Sequence, residues 1–445
     1  MPARPGTMTT LLRGAVLVTC DEQHTVHAPG DLVIQDERIV YAGPRFEGPY
    51  DDMIDARGKL IMPGMINAHT HSGMTLFRSL CDDVDLMVFL EERVWPREVH
   101  LSPDDTYAGS ALASIEMLKS GVTTCVDMYF FEEALARAAR DTGIRALITP
   151  TIICVPPWGE ILGPWEAQLR RGLEFCGRWE GIEGRIHTGL GPHAPYTVPL
   201  DALETIAAEA RRIDVPVNIH LVETAWEREQ FNARGLGSTV QALDGRDFFA
   251  GRAIAAHSVW LDEGDIGVYR RSNVGVAHCP QSNMKLGAGI APLAQLLAGG
   301  VRVGLGTDGA GTNNDLGVWE EVRTAPMLAK VAALDPKPVT AAEALWLATR
   351  LGALAIHRPD LGVLRDGYRA DLAMVRLDDS AFTPIFGPET YISHLVYSAD
   401  RRLIDSVWVN GRPVVRGGQL LTVDEESVRA DVQRRALALA EHVCV

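Results

Sequence analysis

Four histidines, an aspartate and a glutamate stand where apolar runs of this chain end. His69 and His71 follow Leu60–Ala68, His220 follows Val217–Ile219, His257 follows Ala253–Ala256 and Asp308 follows Val303–Thr307. Neutral imidazoles with a carboxylate suit a divalent cation of borderline softness, zinc above all. Residues i and i+2 of a strand point the same way, so His69 and His71 can chelate one ion from one strand end. Glu223 comes three residues after His220, where the strand hands over to a loop. From there it can reach a molecule bound above the ion.

Each element alone has a plainer reading. A histidine closing a strand is more often a satisfied core residue. Glu223 could favour the N-terminus of a helix starting near Thr224, and Asp308 could be an N-cap. Gly309, Gly311 and Asn313–Asn314 follow Asp308, so the backbone there can bend close to a ligand. In this order, at successive strand ends, one shared site is the better account. The fourth run ends at Gly191–Tyr196, which offers His193 but no lysine or carboxylate to bridge two ions. One metal is expected.

These residues need strands that deliver them to one face. Apolar runs end near Ile66, Met128, Ile153, Gly189, Ile219, Ala255, Ala277 and Leu305. Helical patterns lie between most of them: Ser102–Gly121, Phe131–Gly143, Leu200–Asp214 and Pro292–Gly300, with glycines where C′ residues belong. Ala341–Ile356 adds a further helix. Eight strands alternating with helices is the count of an α/β (β/α)8 TIM barrel, whose chemistry sits at the C-terminal strand ends. Both chain ends are β-rich. Asp31–Gly43 reads as two strands around a polar turn, Ala370–Leu377 as one strand, and Asn410–Gly411 between apolar runs as a hairpin needing positive φ twice. The two terminal segments could form one small sheet domain.

The chain has 445 residues, 47% of them hydrophobic, and a formal charge of −16. Such a chain can bury a large core. Its acidity disfavours nucleic-acid and anionic-membrane partners but not a small substrate. Seven scattered cysteines without a C-x-x-C pair argue for a reducing compartment. Met1–Thr10 has no apolar secretory core, and no run of about 18 apolar residues exists. A cytoplasmic setting is expected.

At MPGMINAHTHSGMTLFRSL (62–80), SGVTTCVDMY (120–129), GLGPHAPYTV (189–198), NIHLVET (218–224), AHCPQSNMKLGAGIAP (277–292) and GLGTDGAGTNNDL (304–316) the chain resembles the amidohydrolase superfamily. More narrowly, it looks like the 5-methylthioadenosine/S-adenosylhomocysteine deaminase group and its guanine/cytosine-deaminase-like relatives. The resemblance implies a barrel over residues 63–358 and a small β-sandwich built from 1–62 and 359–445, with a terminal helix. It implies His69, His71, His220 and Asp308 as ligands of one zinc, or iron in some relatives. Glu223, His257 and Asp308 would be catalytic, which makes His257 a non-ligand. Glu98 and His193 would bind substrate, Glu98 at ribose hydroxyls. Relatives are commonly homo-oligomers. Phe89, Gln168 and Trp226 depart from the group's pattern.

The implied reaction is hydrolytic deamination of an amino-substituted N-heterocycle, an adenosine derivative first. Guanine, an oxidised purine, a pterin, cytosine or a triazine are alternatives. A non-catalytic scaffold fits poorly with a complete ligand set. A nucleic-acid deaminase fits poorly with the acidic charge and with the lack of H-x-E and P-C-x-x-C. Trp158, Trp165 and Trp179 read as packing residues rather than a base-stacking platform.

Overall fold

Eight parallel strands carry the middle of the chain: β1 (Met65–Thr70), β2 (Val122–Asp127), β3 (Arg145–Ile148), β4 (Ile186–Thr188), β5 (Val217–Leu221), β6 (Ala253–His257), β7 (Gly275–His278) and β8 (Arg302–Leu305). The computed structural model describes residues 8–80 and 82–441. Residues 1–7, most of the Met1–Thr10 stretch, together with Cys81 and Cys444, lie outside the described residues. The five described cysteines, Cys20, Cys125, Cys154, Cys176 and Cys279, are free thiols.

The strands pair as two four-stranded parallel sheets, in the orders β4-β3-β2-β1 and β5-β6-β7-β8. Their residues are almost all buried, since helices and neighbouring strands cover both faces. That is why they read as apolar runs rather than alternating patterns. Ile66, Val126, Leu147, Ile254, Ala256 and Ala277 share one apolar cluster drawn from both sheets.

Local chemistry sets the helices. Pro103–Lys119 starts at a capping box, with Ser102 and Asp105 bonding each other's backbone amides, and Pro103 occupies the first turn. Glu132–Thr142 ends at Gly143, at φ 89°. The single helix expected over Ala341–Ile356 is two helices, Ala341–Leu347 and Arg350–Ala355. Thr349 breaks them at φ −129°, ψ −95°, and its hydroxyl donates to Leu345 O at 2.7 Å. The second piece then packs on β7 and β8 so closely that a Cβ on Gly275 would sit 1.8 Å from Ala355 O.

The chain ends meet in one nine-stranded mixed sheet. Lys59–Pro63 and Leu372–Arg376 join its halves, running antiparallel with Leu372 opposite Pro63. Asn410 (φ 53°) and Gly411 (φ 76°) form the expected hairpin turn between Ile404–Val409 and Arg412–Arg416. Arg145, at the start of β3, ties the two regions together. Its guanidinium donates to both carboxylate oxygens of the buried Asp371 at 2.7 and 2.8 Å. Trp158 is buried and stacks on Phe130 with centroids 3.9 Å apart, as expected of a packing residue. No helix among the described residues is long and apolar enough to cross a membrane.

Candidate metal and active site

The C-terminal ends of β1, β5 and β6 and the loop after β8 converge. His69, His71 and Asp308 place ligand atoms within 4.8 Å of one another, and so do His69, His220 and His257. His71 Nε2 lies 3.2 Å from Asp308 Oδ1 and 3.1 Å from His220 Nε2. All five candidate metal residues read from the strand ends therefore meet, and Glu223 joins them, with Oε2 3.7 Å from His257 Nε2.

The surroundings orient each side chain. His71 Nδ1 donates to Met128 O at 2.5 Å and His220 Nδ1 to His193 O at 2.7 Å. Those bonds commit the Nδ1 protons and turn both Nε2 atoms inward. Asp308 Oδ2 accepts from Ser282 Oγ at 2.7 Å and Thr312 Oγ1 at 2.9 Å, and Oδ1 from Gly309 N at 2.8 Å. His257 Nδ1 bonds Asn283 Oδ1 at 2.9 Å. Ser282, Thr312 and Asn283 were not read from the sequence. The segments containing them, AHCPQSN and GTDGAGT, were the available signal.

The electrostatics follow from burial. Desolvation lowers His69 to about 4 and drives His220 well below the ordinary imidazole range, so both stay neutral, the form that binds a metal. Burial also acts to lower His71, but the neighbouring Asp308 outweighs it and lifts His71 to about 9. Asp308 is held well below the carboxylate range, because His69 and His71 outweigh its burial. Burial raises Glu223, with His257 partly offsetting it.

A pocket opens over this cluster, lined by His71, His193, His220, Glu223, His257, Asp308 and Glu98. Glu98 is buried, accepts from Tyr129 Oη at 2.6 Å and is pushed by burial up to about 7. Leu86, Phe89, Leu90, Val94 and Trp95 cover the pocket from a helical stretch that includes a π-helical turn, Phe89–Val94. No lysine or arginine is among the described lining residues. Gln168 does not line this pocket: its amide bonds Ile153 N, Ile153 O and Gly163 O and pins the loop after β3. Trp226 is 43% exposed and stands edge-on to Tyr196.

The model of the amidohydrolase family matches residues 60–414. The chain belongs to the amidohydrolase family. This amidohydrolase is 45% identical over 420 residues to the 5-methylthioadenosine/S-adenosylhomocysteine deaminase of Desulforudis audaxviator, covering 93% of this chain and 96% of the relative. It is 38% identical over 434 residues to the 5′-deoxyadenosine deaminase of Methanosarcina mazei, covering 97% and 99%. Among solved structures it matches an adenosine deaminase from Xanthomonas campestris with bound zinc at TM-score 0.92 and 32% identity, over 98% of this chain and 99% of that one.

The residues present fit a cation. Both ring nitrogens of His69 are buried without a hydrogen-bond partner, an uncommon and costly state for an imidazole. The Nε2 atoms of His71 and His220 face each other at 3.1 Å, each ring's Nδ1 being bonded to a backbone carbonyl. Three imidazole nitrogens and one carboxylate oxygen are a donor set that suits such an ion.

Proposed function

We propose that this amidohydrolase is a metal-dependent hydrolytic deaminase that releases ammonia from an adenosine derivative with a small, uncharged 5′-substituent. The observation that carries this reading is one pocket joining the His/Asp cluster, the Glu223–His257 pair and the buried Glu98. The names of the relatives support an adenosine-type substrate. The largely apolar walls, which hold no lysine or arginine among the described lining residues, favour a neutral substituent over one bearing a carboxylate.

His69, His71, His220 and Asp308 hold one metal ion in this reading, zinc by preference, with iron open to the same donors. The eight strands close into a (β/α)8 barrel. A parallel bridge between Leu190 and Val217 supports closure on one side, and Asp308 N donating to His69 O at 3.0 Å supports it on the other. Residues 63–358 form this barrel, and 1–62 with 359–445 form a β-sandwich and terminal helix. The acidic charge and free cysteines favour a cytoplasmic protein, which we take to be a homo-oligomer.

A bound divalent cation supplies Lewis acidity that makes an attacking water more acidic. The side chains do the rest. Glu98 accepts from ribose hydroxyls, and His193 contacts the ring or ribose. Glu223, whose carboxyl burial pushes above its ordinary range, gives a proton to the ring nitrogen beside the amino-bearing carbon. His257, fixed by Asn283, donates to charge developing at that carbon's oxygen. Glu223 regains a proton from the water. Asp308 carries the water's other proton to the amino group, which leaves as ammonia. A carbonyl and a protonated ring nitrogen remain.

Ammonia release over a panel tests the reading: 5-methylthioadenosine, 5′-deoxyadenosine, adenosine, S-adenosylhomocysteine, guanine, cytosine and an aminotriazine. Turnover is expected to be fastest with the first two. Release from guanine, cytosine or the triazine with none from the adenosines overturns it.

A further inference from the structure

Glu227 is a buried carboxyl that the mechanism above does not use. It is 1% exposed and sits in the first turn of the helix Ala225–Ala233. Thr224 caps that helix, its hydroxyl accepting from Glu227 N at 3.4 Å. The pattern T-x-x-E promises a capping box, in which the glutamate would return to the amide of Thr224 itself. Instead Glu227 Oε1 accepts from Val222 N at 3.0 Å, two residues before the cap.

Val222 is an unusual partner. Its φ is 47°, in the left-handed region that β-branched residues avoid. Its carbonyl is held from the other side, accepting from Val259 N at 3.1 Å and Trp260 N at 3.0 Å. The peptide units flanking Val222 are thus fixed from both directions, and the next residue is Glu223. The left-handed turn carries Glu223 off the line of β5 towards His257.

We propose that Glu227 is a positioning residue: by accepting the Val222 amide hydrogen it holds the strained turn that aims Glu223 into the pocket. This inference rests on the reading of Glu223 as the proton carrier. Burial lifts Glu227 to about 8, while the Val222 amide lowers it and the neighbouring Glu223 raises it. Both protonation states keep an oxygen that accepts from Val222, so the role needs an acceptor of the right length rather than a charge.

The test compares Glu227→Gln, Glu227→Leu, Glu227→Asp and the double variant Val222→Gly/Glu227→Leu in the intact protein. Glutamine keeps the acceptor and retains most of kcat. Leucine removes it, and aspartate is one methylene short. Both lower kcat on the order of 10²-fold, as a misplacement of about 1 Å does, with KM and bound metal unchanged. Glycine adopts φ 47° without strain, so the double variant recovers at least about tenfold over Glu227→Leu. A crystal structure of Glu227→Leu should show Val222 at negative φ and Glu223 withdrawn from His257. Wild-type kcat in both Glu227→Leu and Glu227→Asp, or a double variant no faster than Glu227→Leu, overturns the inference. If leucine prevents folding, aspartate with unchanged kcat overturns it alone. Failure of the functional reading looks different: the wild type itself then releases no ammonia from adenosines, while the crystallographic comparison still reads the turn.

Discussion

Glu223 Oε2 stands 3.7 Å from His257 Nε2, a carboxyl from beyond one strand beside an imidazole from the end of the next. Parallel pairing alone puts Leu221, not Glu223, opposite His257. Left-handed backbone at Val222 (φ 47°), His257 (φ 68°) and Ser258 (φ 53°) turns both strand ends inward and closes the gap. Non-glycine residues held in this conformation cost of order 1–3 kcal/mol each and cluster at functional sites.

Glu223→Gln removes the proton carrier while leaving the ligands in place. Metal content should stay near that of the wild type, and kcat should fall by roughly 10²–10⁴-fold, the usual worth of a positioned acid–base group. Metal analysis beside an ammonia assay checks it. Near-normal turnover removes Glu223 from the mechanism.

One ion per chain is expected, because the end of the fourth strand offers His193 and no lysine or carboxylate to bridge two ions. A chelator should abolish turnover, and His69→Ala should bind about one equivalent less. Saturating metal at about 100 times its Kd should add about 2.7 kcal/mol to stability. Uptake should weaken as the pH falls, since protons compete for the imidazoles. A stoichiometry near two contradicts the proposal.

Glu98 gives a pH dependence of known sign. Burial raises its folded-state value to about 7 against an ordinary 4.5. Its neutral form therefore contributes stability fully present below pH 4.5 and lost as the pH rises through 7. Glu98→Gln should escape that loss, gaining on the order of 3 kcal/mol over the wild type by pH 8. Its KM for ribosylated substrates should rise. Urea unfolding at pH 4.5 and 8 measures the difference, and equal gaps at both values refute it.

Asp371→Asn leaves the Arg145 guanidinium buried without its counter-charge. Removing one partner of such a pair costs about 3–5 kcal/mol. Because Arg145 opens β3 and the site lies at the other strand ends, kcat at 25 °C should hold within about twofold while Tm falls by several degrees. A Tm unchanged by the substitution refutes the linkage.

The strands and the metal cluster were legible because of how buried parallel strands are written. Each is an apolar run, and a histidine or aspartate at its end is conspicuous. The terminal hairpin was legible because Asn410–Gly411 is one of few pairs that tolerate positive φ twice. The break at Thr349 was not, since Thr-Arg-Leu-Gly carries no helix-stopping proline and continues an apolar pattern. The role of Glu227 was not legible for a different reason: T-x-x-E specifies a local capping geometry that the fold overrides.

By itself the sequence determined which residue types stand at strand ends and, through their order, that one cation-binding site with an acid beside it is the economical arrangement. Only the tertiary structure decided the rest. It joined Asn283 to His257, Ser282 and Thr312 to Asp308, and Tyr129 to Glu98. It also bent the backbone at Val222 and His257. The reason is physical. Periodicity and burial are summed over neighbours along the chain, whereas hydrogen-bond partners and strained dihedrals are set by segments that meet only when the strands pack side by side.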